Sequence, residues 1–106
     1  MDLGLKGKCA FVAASSRGLG YATALGLAKE GCNVAINGRD EDSTREAADR
    51  IAAETGGKVL ALFGDVTDPE TPARLIGLAV EEFGALDILI TNAGGPPAGS
   101  FETIDD

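Results

Sequence analysis

Apolar residues along the chain fall into short blocks of two alternating kinds. Lys8 to Ala14 (KCAFVAA) is an unbroken apolar run, too continuous for a strand with one wet face. It reads as a buried parallel strand running into a tight turn at Ser15, Ser16, Arg17, Gly18, Leu19 and Gly20. Leu19 to Glu30 then places Leu25, Leu27 and several alanines at helical spacing, with Gly31 where a helix C-terminal cap belongs. Asn33 to Asn37 (NVAIN) is the second strand, left through Gly38-Arg39-Asp40. From Glu41 to Thr55 the pattern is largely polar, with Ala47, Ala48, Ile51 and Ala52 on one helical stripe, and Gly56-Gly57 ends the element. Lys58 to Phe63 (KVLALF) is the third strand, followed by the loop Gly64-Asp65-Val66-Thr67-Asp68. A third helix carries Leu75, Ile76, Ala79, Val80 and Phe83 and stops at Gly84. Its start is open between Asp68-Pro69 and Thr71-Pro72, because each offers a capping side chain followed by proline. Ala85 to Thr91 (ALDILIT) is the fourth strand, broken by Asn92-Ala93-Gly94-Gly95-Pro96-Pro97.

Strands and helices alternating over short loops predict an α/β fold: a Rossmann-like parallel sheet of four strands in the order 3-2-1-4 with three helices, part of a doubly wound fold. Helices one and two then share a face and helix three takes the other. Strands one and four flank the switch point where such sheets bind ligands, so the loops after the strands are the candidate functional segments. The fourth strand would be an edge without the Lys, Pro or bulge that usually protects one. A single helix on its face would leave strands one and two partly bare.

Composition narrows the functional classes. At 106 residues, 44% hydrophobic and 25% charged, the chain has the balance of one small globular unit despite a net charge of −8. No run approaches the roughly 18 apolar residues of a membrane span, and the opening MDLGLKGK lacks an apolar signal core, which predicts a cytoplasmic chain with no membrane partner. Its nine basic residues are dispersed, which argues against nucleic acid. With two cysteines, Cys9 and Cys32, and no histidine, metal sites and Cys-His or Ser-His catalysis lack their parts; both cysteines are expected to be buried reduced thiols. The 15 glycines remain to be explained.

Gly18 and Gly20 stand where a strand meets a helix, and there a bare backbone can approach a pyrophosphate held at the helix N-terminus. A tight packing turn would use the same residues, and the strict GxGxxG pattern is absent because Thr23 fills its third position. The order of four loops adds more. Ala13-Ala14-Ser15-Ser16-Arg17-Gly18-Leu19-Gly20, then Gly38-Arg39, then Asp65-Val66, then Asn92-Ala93-Gly94 together resemble the classical short-chain dehydrogenase/reductase family over essentially the whole chain, with 3-oxoacyl-(acyl-carrier-protein) reductase-like members the nearest in kind.

The resemblance implies an NAD(P)-binding fold whose Thr-Gly-x-x-x-Gly-x-Gly loop holds the pyrophosphate. Gly18 and Gly20 match its last two glycines, with Leu19 between them, while Ala13 and Ala14 replace the leading Thr-Gly. An alanine at position 14 is expected to take an ordinary negative φ and to add a methyl group near the phosphates. Ser15 and Ser16 are candidate phosphate or ribose partners. NAD-type folds end strand two on an acidic residue for the ribose hydroxyls, whereas a 2′-phosphate needs cations. Here that position is Gly38, with Arg39 next and Arg17 within reach, so NADP(H) is expected in preference to NAD(H). Asp40 and Asp42 are close enough in sequence to pair with Arg39 and weaken that preference. Asp65 resembles the family aspartate that meets the adenine amino group, with Val66 contributing backbone contact; a helix-entry cap or turn former is the alternative. Asn92, Ala93 and Gly94 match the family segment next to the cofactor ribose.

The family's hydride-transfer residues, a Ser, a Tyr-x-x-x-Lys pair and a supporting Asn, have no counterpart here. The one tyrosine, Tyr21, has Leu25 four residues on. No catalytic residue is therefore assigned. Family members run to about 250 residues, within the ordinary range of single α/β domains. The expectation is a nucleotide-binding part of a carbonyl/alcohol oxidoreductase, truncated before the catalytic segment. It would be inactive alone, bind a nicotinamide dinucleotide, and cover its open edge by self-association or by pairing with the C-terminal portion. A non-catalytic nucleotide-binding or interaction module is the alternative.

Overall fold

In the computed structural model, which describes residues 4–91, strand and helix alternate as β1 (Cys9–Val12), α1 (Gly18–Lys29), β2 (Asn33–Gly38), α2 (Glu41–Thr55), β3 (Val59–Phe63), α3 (Thr71–Phe83) and β4 (Ile88–Ile90). All pairings are parallel and the order is β3-β2-β1-β4, as the alternation predicts. Every residue of β1 is buried, which accounts for its unbroken apolar sequence. Side chains alternate across the sheet. Val12, Val34 and Ile36 face α1 and α2 with Ala24, Ala28, Ala47 and Ile51, whereas Phe11, Ala13 and Ala35 face α3 with Leu75 and Ala79.

Local chemistry sets the helix ends. Asp40 caps α2 by accepting the Ser43 amide at 2.8 Å, and Gly56 at φ +72° closes it, so α2 spans the residues predicted. The two candidate starts of α3 resolve in favour of Thr71-Pro72. Thr71 is buried, while Asp68 turns the preceding loop by accepting the Glu70 amide at 3.2 Å. In α1 the buried residues are Gly20, Ala24 and Ala28, one every four, so the helix lies close on the sheet.

Two expectations about the sheet are corrected. Strands one and two are not bare beneath α3: Phe11 is 2% exposed and Ala35 is fully buried, in one packed cluster with Leu62, Leu75 and Ala79. The exposed position lies one strand over, at Leu89 of β4, which is 40% exposed and in register with Phe11. The fourth strand is also shorter than its apolar run. Pairing begins where the Asp87 carboxylate accepts the Cys9 amide at 2.8 Å and the Asp87 amide donates to the Cys9 carbonyl at 2.8 Å. Cys9 and Cys32 are free and buried, as expected, and burial pushes the Cys32 thiol pKa up. No helix among the described residues is long and apolar enough to cross a membrane.

Candidate functional site

The loops that leave β1, β2 and β3 meet at one end of the sheet and enclose a cleft of about 330 Å³, within the size range of small-molecule sites. The β1 exit contributes Ala14, Ser16 and Arg17, the β2 exit Gly38 and Arg39, and the β3 exit Asp65, Val66 and Thr67. A second recess of about 480 Å³ shares Ser16, Arg17 and Arg39 and extends over α2 to Ser43, Glu46 and Arg50. The structure thus brings three of the four sequence-predicted loops together. The fourth, Asn92-Ala93-Gly94, lies outside the described residues.

The first loop turns sharply because Ala14 adopts φ +51°, a left-handed conformation, against the expected negative φ. The next residue does not reach the cleft. Ser15 is fully buried, and its hydroxyl donates to the Val12 carbonyl at 2.6 Å and accepts the Asn37 amide at 2.8 Å. Ser16 is the serine that lines both recesses. Gly18 sits at φ +68° and opens α1. Arg17 holds the N-cap position without a side-chain capping bond, and the first turn has no acidic residue. The leading amides of α1 therefore have no side-chain cap, and the helix end favours an anion. Leu19 is 62% exposed beside them, and Gly20 packs its backbone against Ala14 and Ser15.

Arg39 does not pair with Asp40 or Asp42 as their spacing suggested. Asp40 is engaged as the α2 cap, and Arg39 instead reaches across the cleft to Asp65 at 3.9 Å. Arg17 makes no ion pair among the described residues. Arg50 pairs with Glu46 at 3.6 Å and lies over the Tyr21 ring. Asp65 forms the turn that one of its two sequence readings expected. One carboxylate oxygen accepts the Thr67 hydroxyl at 2.6 Å and the Thr67 amide at 2.9 Å, fixing the turn, while the other faces Arg39. The Thr67 hydroxyl and amide, with Arg39 behind them, hold the Asp65 carboxyl below its ordinary pKa of 3.8.

A depressed carboxyl pKa stabilises the fold fully above the ordinary value and ceases to do so as the pH falls through the folded one. Asp65→Asn keeps an acceptor for Thr67 but cannot titrate. The stability advantage of the unmutated chain over this variant is expected to be constant near neutrality and to shrink only below pH 3.8. Thermal unfolding from pH 7 to 2.5 measures it, and a difference that persists undiminished in acid would contradict the Asp65 geometry.

Asn37 is the cleft residue that the sequence pattern did not mark. It is 1% exposed and bonds to both neighbouring loops. The available signal was an amide at the fully buried end of the NVAIN strand, whose other asparagine, Asn33, is only partly buried. No cluster of metal-ligating side chains is present among the described residues.

A family model described as short chain dehydrogenase matches residues 8–106. The chain is 37% identical over 97 residues to an L-rhamnose 1-dehydrogenase (NAD(P)(+)) of Sphingomonas sp. (strain SKA58), covering 92% of this chain and 38% of that protein. It is 45% identical over 103 residues to a trans-4-hydroxycyclohexanecarboxylate dehydrogenase of Sinomonas cyclohexanicum, covering 92% and 40%. Its fold superposes on the crystal structure of L-sorbose reductase from Gluconobacter frateurii complexed with NADPH and L-sorbose with a TM-score of 0.85 at 39% identity, covering 89% of this chain and 36% of that one. The chain spans about two-fifths of the length of the curated relatives it matches.

Proposed function

Because the chain belongs to the short-chain dehydrogenase/reductase family, we propose that it supplies the nucleotide site of an NADP(H)-dependent oxidoreductase acting on a carbonyl/alcohol pair. The observation that carries the preference for NADP(H) over NAD(H) is the rim of the cleft. Arg17 and Arg39 stand on it, and Gly38 presents no side chain where an acidic residue would repel a 2′-phosphate. The residues present fit the group. The uncapped amides at Gly18, Leu19 and Gly20 receive the pyrophosphate, Ser16 lies beside the adenosine ribose, and Asp65 with Val66 borders the adenine. Asn92, Ala93 and Gly94 are assigned to the cofactor ribose on the family pattern alone. When bound, the nicotinamide supplies or accepts the hydride; these residues bind and orient it.

No residue of this chain is assigned to proton transfer, since the Ser and Tyr-x-x-x-Lys set is absent from its 106 residues. On this reading the chain alone turns over no substrate. The 3-oxoacyl-carrier likeness of its loops and the sugar and cyclic-alcohol names of its relatives share only the carbonyl/alcohol chemistry, which is the substrate class proposed. A cytoplasmic location and a partner along the open edge of β4, either a second copy or the remainder of a longer chain, complete the proposal. A purely nucleotide-sensing module is the rival, and it shares the site but not the reaction.

Titration with NADPH and NADH, followed by nicotinamide fluorescence or calorimetry, tests the reading. Arg17→Ala and Arg39→Ala should each weaken NADPH by about 10–100-fold, the worth of a hydrogen bond to a charged group, and leave NADH nearly unchanged. Equal affinities for the two dinucleotides in the unmutated chain would overturn the phosphate assignment.

A further inference from the structure

Asn37 is positioned beyond the last β1–β2 register pair, Val12↔Ile36, at the point where β1 has left the sheet and β2 still runs on beside β3. Its side chain takes up the bonding that the ladder no longer supplies. The side-chain oxygen accepts the Ala14 amide at 3.0 Å, and the side-chain nitrogen donates to the Leu62 carbonyl at 3.3 Å and the Gly64 carbonyl at 3.1 Å. Both amide protons are therefore engaged on the β3 side and the oxygen on the β1 side, in a group that is 1% exposed. The backbone adds to the same join: the Asn37 carbonyl accepts the Ser15 amide at 2.6 Å.

The residue it grips most directly is the strained one. Ala14 is the one non-glycine residue with positive φ among the described residues, and an L-residue resists that region because its Cβ crowds the following carbonyl. Such a conformation persists only where the surroundings over-determine it. Here the surroundings are Asn37 on one side and the close approach of Gly20 on the other.

We propose that Asn37 is a positioning residue for the nucleotide cleft, holding Ala14 in its left-handed turn and tying that turn to the β3 exit that carries Asp65 and Val66. This rests on the dinucleotide reading above for its consequence, but the clamp is a property of the apo chain. Because glycine enters the left-handed turn without strain, Ala14→Gly should make the cleft independent of the clamp.

The test combines Asn37→Ala, Ala14→Gly and the double variant, with NADPH affinity measured per folded molecule and amide exchange at residue 14 measured by NMR without ligand. Asn37→Ala should weaken NADPH about tenfold or more, the worth of a buried hydrogen bond, and speed exchange of the Ala14 amide by a similar factor while the β1 amides stay protected. Adding Ala14→Gly should restore most of the affinity. A role in general stability alone would lower the unfolding temperature but leave the affinity of the folded fraction intact, and would show no rescue. The proposal is overturned if Asn37→Ala binds NADPH as tightly as the unmutated chain, or if the double variant binds no better than Asn37→Ala. Should the unmutated chain bind no dinucleotide, the dinucleotide reading fails while exchange at Ala14 still decides the clamp. If Asn37→Ala does not fold, Asn37→Ser, too short to reach the Ala14 amide, takes its place with the same outcomes.

Discussion

Gly20→Ala is expected to destabilise the chain by about 2 kcal/mol or more, whereas Gly26→Ala in the same helix is expected to stabilise it by about 0.5–1 kcal/mol. Helix propensity alone gives both substitutions the same favourable sign. Their surroundings separate them. A Cβ at Gly20 would run into the Ala14 carbonyl oxygen and lie 2.9 Å from the Ser15 Cα, and both obstacles are backbone, which cannot swing aside. A Cβ at Gly26 meets nothing within 4 Å. Relief of the Gly20 clash requires the N-terminus of α1 to back away from the loop that turns at Ala14, which also spoils the anion-binding end of the helix. Dinucleotide affinity should therefore fall with stability in Gly20→Ala and stay put in Gly26→Ala. Denaturant midpoints of the two variants, compared with the unmutated chain, check this. If both shifted the midpoint upward, α1 would not approach the loop as closely as the structure has it.

The contrast between these glycines also shows what the sequence could disclose. Features governed by neighbours in sequence are legible: the stop of α2 at Gly56, or the halt of α3 at Gly84. The parallel order followed from the alternation of elements and the handedness of crossovers. What was illegible depended on partners distant in the chain. The ALDILIT run predicts a seven-residue strand, yet β4 pairs over Ile88–Ile90, because the length of a parallel strand is set by its partner, here the four residues of β1. Sequence proximity favours Asp40 or Asp42 as partners of Arg39, which pairs instead with Asp65 because Asp40 is engaged as the α2 cap.

The cleft follows the same division. Its glycine loop, its arginines and Asp65 are conspicuous in the sequence because their chemistry is local and exposed. The backbone that places them is not. Ala14 takes a left-handed turn that its own identity disfavours, Ser15 turns inward, and Asn37, unremarkable in a string of strand residues, joins both loops. Residues proposed to meet the dinucleotide are therefore easier to find in the sequence than those that hold the cleft loops in place.

Gly38→Asp is expected to cost about 1–3 kcal/mol of stability and, on the proposed function, to weaken NADPH about 10–100-fold without gaining NADH. The charge argument alone predicts a clean exchange of cofactor, since a carboxylate at the end of β2 repels a 2′-phosphate and can receive ribose hydroxyls. Packing forbids it. A Cβ on Gly38 would meet the Thr44 hydroxyl, which is fully buried and donates to the Asp40 carbonyl at 2.6 Å, and would lie 3.0 Å from the Ser16 Cβ. The new side chain must displace the first turn of α2 or the serine of the glycine loop before its charge can act, and both line the second recess or support it. Removing the obstructing hydroxyl should uncouple the two effects. In the Gly38→Asp, Thr44→Ala double variant, part of the lost stability returns and the preference turns toward NADH, so the two substitutions are non-additive in both readouts. Unfolding midpoints and paired NADPH and NADH titrations across the cycle measure this. A single Gly38→Asp variant that kept the stability of the unmutated chain and already preferred NADH would show that charge alone sets the choice, and that the close packing of Gly38 against Thr44 and Ser16 plays no part in it.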